Sequence, residues 1–517
     1  MSLEAFGVKN LRCLVDTGLV PIRPITVLVG RNSSGKSTFL RTFPLLRQSV
    51  ESRRSTPILW YGDSHPVDFG SLRDASSAWL SEPTVSFRFS MTAPKDSPFS
   101  PIGERRLDIE VTLAGAEAPY VSEYCIHVEE HEARWCFDSN GRARSLSVND
   151  KTIPLSGPLC LGGRAHLLPT LLPGDGSDVL YSDAPPADLR YFDSPEVDAD
   201  RVLLPPLVNA MRPVLEDSMN EQTLHTIATI TTLGTRDALH AELARYRGEE
   251  LLPASVRAIA DDTILPALVA RLSPRIIEVA DILLADCMRR VAYLAPLRVT
   301  PQRAYRITNY AVDELEADGK NLAMFLRSLS PGETESFARF TRGALGFETS
   351  IRTSGIHAEI LIRSATTKRL ANLVDVGFGY SEVLPLAAVL WNSCLRQRGS
   401  SRKPVSIVAI EQPELHLHPA HQALLARMFV ETVAQGHQTK IVIETHSESL
   451  INGLGRLVYD GEIKASDIQL VLFDQDEETE RTGVRLAGYR DSGALYDWPY
   501  GFLSPVASRS VPPAAAE

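Results

Sequence analysis

A chain of 517 residues is long for one compact domain, and 44% hydrophobic residues is enough to build two or three lobes with cores of their own. Its 53 basic against 64 acidic residues leave a net charge of −11, which excludes a surface that is basic throughout, so any nucleic-acid contact has to come from a local patch. No apolar run approaches the roughly 18 residues of a membrane span, no signal peptide opens the chain, and six cysteines without a CxxC pair read as reduced thiols, so a cytoplasmic protein is expected.

In chain order, residues 3–11 and 17–22 read as short strands. The β-branched run Ile25-Thr26-Val27-Leu28-Val29 follows, then Gly30-Arg31-Asn32-Ser33-Ser34-Gly35-Lys36-Ser37-Thr38, then an apolar stretch able to start a helix that ends near Ser49. Strand, glycine loop and helix in that order are what a phosphate-binding loop requires. The two glycines let successive backbone N–H groups turn toward phosphate oxygens, and the helix N-terminus adds partial positive charge. Gly30, Asn32, Gly35, Lys36, Ser37 and Thr38 are therefore the candidate nucleotide-binding residues; Lys36 reaches the β- and γ-phosphates and the Ser37 hydroxyl is a candidate Mg2+ ligand.

Residues 1–82 form the first part of the expected head. Over 83–158 the apolar residues alternate (Val85, Phe87, Phe89; Leu107, Ile109, Val111, Leu113; Tyr124, Ile126, Val128), which predicts an antiparallel β-rich arm with one wet face. Residues 159–200 are rich in Gly, Pro and Asp and read as a linker. Residues 201–290 carry helical stripes such as Ile276, Val279, Ile282, Leu283 and Cys287, and their arginines lie among acids as solvated helix faces do. From 291 to 517 the chain returns to the head, where Arg298 and Arg303 are either phosphate contacts or surface arginines.

Three further stretches carry chemistry. In Asp375-Val376-Gly377-Phe378-Gly379-Tyr380-Ser381, two glycines precede an apolar helix, so Gly377, Gly379 and Ser381 are candidates for a second anion site. The apolar strand Val405 to Ile410 delivers Glu411 to its C-terminal end, where ligands of open α/β sheets bind; Glu411 is the candidate metal carboxylate, followed by Gln412, Pro413 and Glu414. A second such strand, Lys440 to Ile443, ends in Glu444-Thr445-His446-Ser447 and places His446 to sense the γ-phosphate or position water. His416, His418 and His421 have the look of a metal cluster that no carboxylate or cysteine set completes.

With these pieces in order, the chain resembles the ATP-binding-cassette class of ATPases, and within it the structural-maintenance-of-chromosomes, RecF and overcoming-lysogenization-defect branch, in a stand-alone bacterial AAA-type form without a fused nuclease. The resemblance implies an α/β fold: an ABC-type ATPase head carrying an antiparallel β arm and a helical insertion. It implies ATP and Mg2+ as cofactors and a homodimer or higher homo-oligomer in which the loop Gly30 to Ser37 of one subunit faces Gly377 to Ser381 of the other. Glu411, Gln412, Glu414 and His446 take the catalytic positions. Gly377 stands where the family usually has serine, and Gln412 where it has the glutamate that polarises water. Three readings follow for hydrolysis: Glu414 substitutes, Gln412 orients water as a glutamine does in small GTPases, or the switch hydrolyses weakly. The expected function is an ATPase switch acting on a separate effector such as a nuclease, or on nucleic acid, in bacterial defence or DNA maintenance, with no membrane partner. The alternative is an ATP-bound scaffold that sequesters a toxic partner.

Overall fold

The computed structural model describes residues 3–62, 65–92, 106–175, 178–181, 199–215, 219–231, 233, 235–308, 312–364, 369–376, 378–394, 407–435 and 439–498. The chain divides into two units, one of residues 1–19 and 45–289 and the other of residues 20–44 and 290–517.

The second unit takes residues 20–44 and 290–517 of the expected head, residues 1–19 and 45–82 falling in the first unit, and its centre is a parallel sheet. Strands β1 (Ile25–Gly30), β2 (Val291–Leu294), β3 (Ile407–Glu411), β4 (Lys440–Glu444) and β5 (Ile468–Gln475) lie in the order β5-β1-β4-β3-β2. Every residue of β1, β2 and β3 is buried. Burial on both faces explains why these strands are continuous Ile/Val/Leu runs rather than alternating ones. Strand β6 (Thr482–Tyr489) extends the sheet antiparallel to β5. Helices α1 (Lys36–Glu51), α2 (Phe378–Cys394), α3 (Pro419–Gln435) and α4 (Glu448–Tyr459) follow the first strand, the second glycine stretch, β3 and β4. The head core joins Val27, Leu294, Ile410, Ile443 and Leu472 of the sheet to Trp391, Phe429 and Leu454 of the helices.

Between β2 and α2 this unit holds a smaller antiparallel sheet, in which Phe347–Ser354 and His357–Ser364 form a strand pair, flanked by Tyr305–Arg306 and Leu370–Asn372. The helix Pro331–Leu345 beside it starts on a capping box, Ser330 and Glu333, and stops at Gly346 in the left-handed region (φ 73°).

The first unit contains an antiparallel meander. Its strands run Lys151–Thr152, Ala143–Val148, His131–Phe137, Tyr120–Val128, Arg106–Ala114, Thr84–Thr92, then Leu3–Leu11 and Leu14–Asp16. Arg106–Ala114 buries every second residue, as its alternation predicts. Residues 159–200 read as linker from their Gly, Pro and Asp content; within them Leu159–Ala165, Thr170–Pro173 and Asp178–Tyr181 instead form a three-stranded sheet, and residues 182–198 lie outside the described residues. These strands are short, and the composition reflects the turns between them while Leu159, Leu161 and Leu171 are buried. Helices occupy Ala199–Leu215, Glu221–Ile230, Arg236–Arg247, Ala254–Ile259 and Leu265–Met288. Arg271 forms a two-pronged pair with Asp200, and Arg236 and Arg275 pair with Glu130 and Glu278, so these arginines are spent inside their own unit. The Trp135 indole donates to Ser273 Oγ at 2.9 Å, and the buried Asp281 accepts from the backbone N–H groups of His166, Leu167 and Leu168 at 2.6–2.8 Å.

Candidate active site

The parallel register brings the C-terminal ends of β1, β3 and β4 to one edge, with Glu411 directly opposite Glu444 and Leu28 opposite Glu444 on the other side. The loop of residues 31–35 leaves β1 at this edge. Gly30 cannot carry a side chain there, because a Cβ would lie 2.6 Å from both the Phe473 carbonyl oxygen and Ser34 Oγ. Ser33 (φ 64°) and Gly35 (φ 87°) take left-handed backbone conformations, and turns of that kind gather N–H groups into an anion-binding concavity.

Lys36, 3% exposed, folds back over its own loop, donating from Nζ to the Arg31 carbonyl at 2.6 Å. Ser37 Oγ donates to Glu444 Oε1 at 2.8 Å, and Lys36 Nζ stands 3.9 Å from the same oxygen. Thr38 is buried beside them and Asn32 is exposed at the loop tip. Among the described residues, Ser34 Oγ and Glu444 Oε2 beside them are buried polar atoms without a hydrogen-bond partner. A hydroxyl donor and a carboxylate oxygen left unpaired beside a backbone concavity and a buried ammonium group fit a nucleoside triphosphate with a divalent cation.

Glu411, 2% exposed, has both oxygens engaged: Arg41 donates Nε to Oε1 at 2.7 Å and a terminal guanidinium nitrogen to Oε2 at 2.8 Å, while the Tyr293 hydroxyl donates to Oε1 at 2.7 Å. Burial and the neighbouring carboxylate hold the Tyr293 phenol protonated, far above its ordinary value. Gln412 has φ 41°, and its N–H donates to the Glu444 carbonyl at 2.9 Å, so the chain turns sharply after β3. Glu414 is buried on that turn; Oε1 accepts from the His446 N–H at 2.6 Å and Oε2 has no partner. Burial raises the Glu414 carboxyl above its ordinary range. Burial raises Glu444 likewise, the Ser37 hydrogen bond opposes it, and the Glu411 charge adds to it. His446 is half-buried and its pKa is lowered, first by burial and then by the Lys36 charge, so the imidazole is neutral at neutral pH.

On α2, Gly379 has room for a methyl group: a Cβ would meet His421 Nδ1 at 3.7 Å and Leu417 at 3.8 Å, ordinary contacts. Ser381 is buried. Gly377 lies outside the described residues. The Arg298 guanidinium is buried against Glu382 of α2 at 3.1 Å, and Arg303 pairs with Asp375 at 2.5–3.0 Å. A cavity of about 830 Å3 lined by Arg303, Arg352, Arg369, Asp375 and Tyr380 shares no residue with the phosphate loop. His416, His418 and His421 do not gather ligand atoms; among the described residues the set that does is Cys125, His127 and Glu132 in the first unit.

Sequence reading thus names the loop, the strand-end acid Glu411 and His446, and misses Glu444 and what surrounds them. Arg41 and Tyr293 have no local signal: one is a helix arginine, the other lies within a short apolar strand. Glu444 has a signal, an acid ending a buried strand as Glu411 does, which its position before the histidine hides.

Residues 331–451 match the family model of an AAA ATPase domain. No curated protein matches the sequence at a significant level. Solved structures similar to the chain include the SMC head bound to the C-winged helix domain of ScpA (10% identity, 94% of this chain and 97% of that one, TM-score 0.36). Others are an Smc head domain with an extended coiled coil bound to the C-terminal domain of ScpA, derived from Pyrococcus furiosus (11%, 94% and 96%, TM-score 0.35), and the SMC head domain from Thermotoga maritima (10%, 94% and 98%, TM-score 0.35).

Proposed function

We propose that this chain, which carries an AAA ATPase domain in an ABC-type head, is an ATP-dependent switch that closes into a homodimer or higher homo-oligomer around nucleotide and controls a separate effector. The observation that carries the reading is the cluster of Lys36, Ser37 and Glu444 under a glycine loop, with two buried polar atoms unpaired. ATP would lie on the loop 30–38, and Ser37 together with a carboxylate at a strand end would hold Mg2+, which neutralises the β- and γ-phosphates when bound. Gly379 supports dimer closure. A helical glycine costs about 1 kcal/mol against alanine, and its surroundings within this chain have room for a methyl group, so its use is to let something outside the chain approach closely.

His446, neutral and beside Lys36, is suited to accept or donate one hydrogen bond at the γ-phosphate or the attacking water. The effector is a nuclease or another nucleic-acid-acting protein, and the setting is antiviral defence or DNA maintenance in the bacterial cytoplasm. Among the described residues no helix is long and apolar enough to cross a membrane.

A second reading has its own observation. Gln412 is a neutral amide where a proton acceptor is wanted, and Glu414 is turned onto the His446 backbone, which favours a scaffold that holds ATP and sequesters a toxic partner. ATP turnover and mass by light scattering, for wild type, Lys36→Ala, Gln412→Glu and Glu414→Gln, separate the two. The switch reading expects Lys36→Ala to lose ATP-dependent assembly and to lower turnover by on the order of a hundredfold. Negligible wild-type turnover, raised by Gln412→Glu, establishes the scaffold; wild-type turnover that is brisk and indifferent to Gln412→Glu sinks it.

A further inference from the structure

We infer that Glu444, at the end of β4, and not Glu411, is the carboxylate that joins Ser37 in holding the nucleotide's divalent cation, directly or through one water. The inference rests on the ATP and Mg2+ reading above and says which acid performs that part of it.

The two acids are register partners on neighbouring strands and are equally buried, each 2% exposed. They differ in what their oxygens already do. Glu411 receives three charge-assisted or phenolic hydrogen bonds, two from the Arg41 fork and one from Tyr293. Three of its roughly four acceptor sites are thereby filled by bonds of the strong, geometrically specific kind, and these hold both oxygens toward Arg41 and Tyr293. Its partners lie on α1 and β2, so the Arg41–Glu411–Tyr293 group pins the loop-bearing helix to the far strand of the sheet.

Glu444 is committed on one oxygen only. Oε1 accepts from Ser37 Oγ, while Oε2 is buried and has no partner among the described residues. An unpaired charged oxygen in a dry site is costly, and the cost is recovered when a cation or its water arrives. Ser37 can keep donating its proton to Oε1 while its own lone pairs face the metal, so Glu444 both fixes the hydroxyl's orientation and supplies a free acceptor beside it. That pairing of a ligand with an oriented carboxylate is how proteins tune metal sites. Lys36, 3.9 Å from Oε1, marks the same spot as the phosphate side of the loop.

The test uses the full-length protein, ATP, and Mn2+ as the spectroscopic stand-in for Mg2+. Mn2+ affinity of the ATP-loaded protein is read by electron paramagnetic resonance, and ATP affinity is measured separately in EDTA by calorimetry. Glu444→Gln is expected to weaken Mn2+ binding about tenfold or more while metal-free ATP affinity stays within about twofold. Glu411→Gln is expected to keep Mn2+ affinity within about threefold and to lower the melting temperature instead. Glu444→Asp, which keeps the charge but shortens its reach, is the second variant should Glu444→Gln not fold, and it too is expected to weaken Mn2+ binding. Wild-type Mn2+ affinity in the Glu444 variants, with loss in Glu411→Gln, overturns the assignment while leaving the ATPase reading intact. A wild-type protein that binds no ATP in EDTA or with metal overturns both.

Discussion

Arg41 grips Glu411 through two parallel hydrogen bonds of 2.7 and 2.8 Å, one turn along the helix from the phosphate loop. Removing one partner strands a buried carboxylate next to Glu444. Arg41→Ala should therefore destabilise the protein by about 2–3 kcal/mol, below the loss for a fully buried pair because the Arg41 side chain keeps 38% exposure. Tyr293→Phe should cost about 1.5–3 kcal/mol by loss of a hydrogen bond to a charged group. Urea unfolding of the single variants and of Arg41→Ala/Glu411→Gln checks this; the double variant should recover part of the Arg41→Ala loss, since it no longer leaves a charge unpaired.

Gly379→Ala separates fold from assembly. Because a Cβ at this position meets only ordinary contacts, the substitution should leave the melting temperature unchanged or raise it, by up to about 1 kcal/mol of helix propensity. The same methyl group should weaken ATP-dependent self-association at least tenfold if a second subunit's nucleotide approaches there. Sedimentation with and without ATP gives the answer, and undiminished assembly would remove Gly379 from the composite site.

The pH dependence of the nucleotide-free protein follows from two raised carboxyls. Glu444 and Glu414 both titrate above their ordinary 4.5, chiefly through burial; Ser37 and Lys36 oppose the shift of the first, and the His446 N–H opposes that of the second. A raised folded-state pKa means the folded form binds more protons than the unfolded one in the window between the two values. The stability each group contributes is whole below about pH 4.5 and is lost as pH rises through the folded value. Glu444→Gln should accordingly raise the melting temperature near pH 7–8, with the gap to wild type closing as the pH approaches about 5. A gap that widens on acidification would contradict the sign. His446 runs the other way: its lowered pKa contributes stability above about 6.5 that fades as pH falls through the folded value.

In the first unit, Asp281 holds three consecutive backbone N–H groups on the 166–168 turn. Burial raises its carboxyl despite those bonds, so desolvation is the larger effect. Asp281→Ala leaves two buried and one part-buried backbone donor unsatisfied and should cost about 3–5 kcal/mol, and it should increase hydrogen exchange at residues 166–168 more than at β1. Equal protection in the variant would show that the turn holds itself.

What the sequence by itself determined is local. The glycine loop, the alternation of residues 84–128 and the apolar runs ending in Glu411 and Glu444 follow from backbone stereochemistry and from burial on one or two faces, and both act over a few residues. That was enough to read the α/β class, the arm and the strands that carry the site. Over residues 159–181, the described part of the 159–200 stretch that reads as linker, composition, a property of turns, hides the buried Leu159, Leu161 and Leu171 between them.

Tertiary structure alone decided how the acids are used. Strand order placed β4 between β1 and β3, and with it Glu444 between Ser37 and Glu411. Arg41 and Tyr293 come from positions 370 and 118 residues away in the chain to occupy Glu411. Hydrogen-bond satisfaction is a property of three-dimensional neighbours and leaves no periodicity or composition behind, so which of two similar strand-end carboxylates keeps a free oxygen is settled only when the chain has folded.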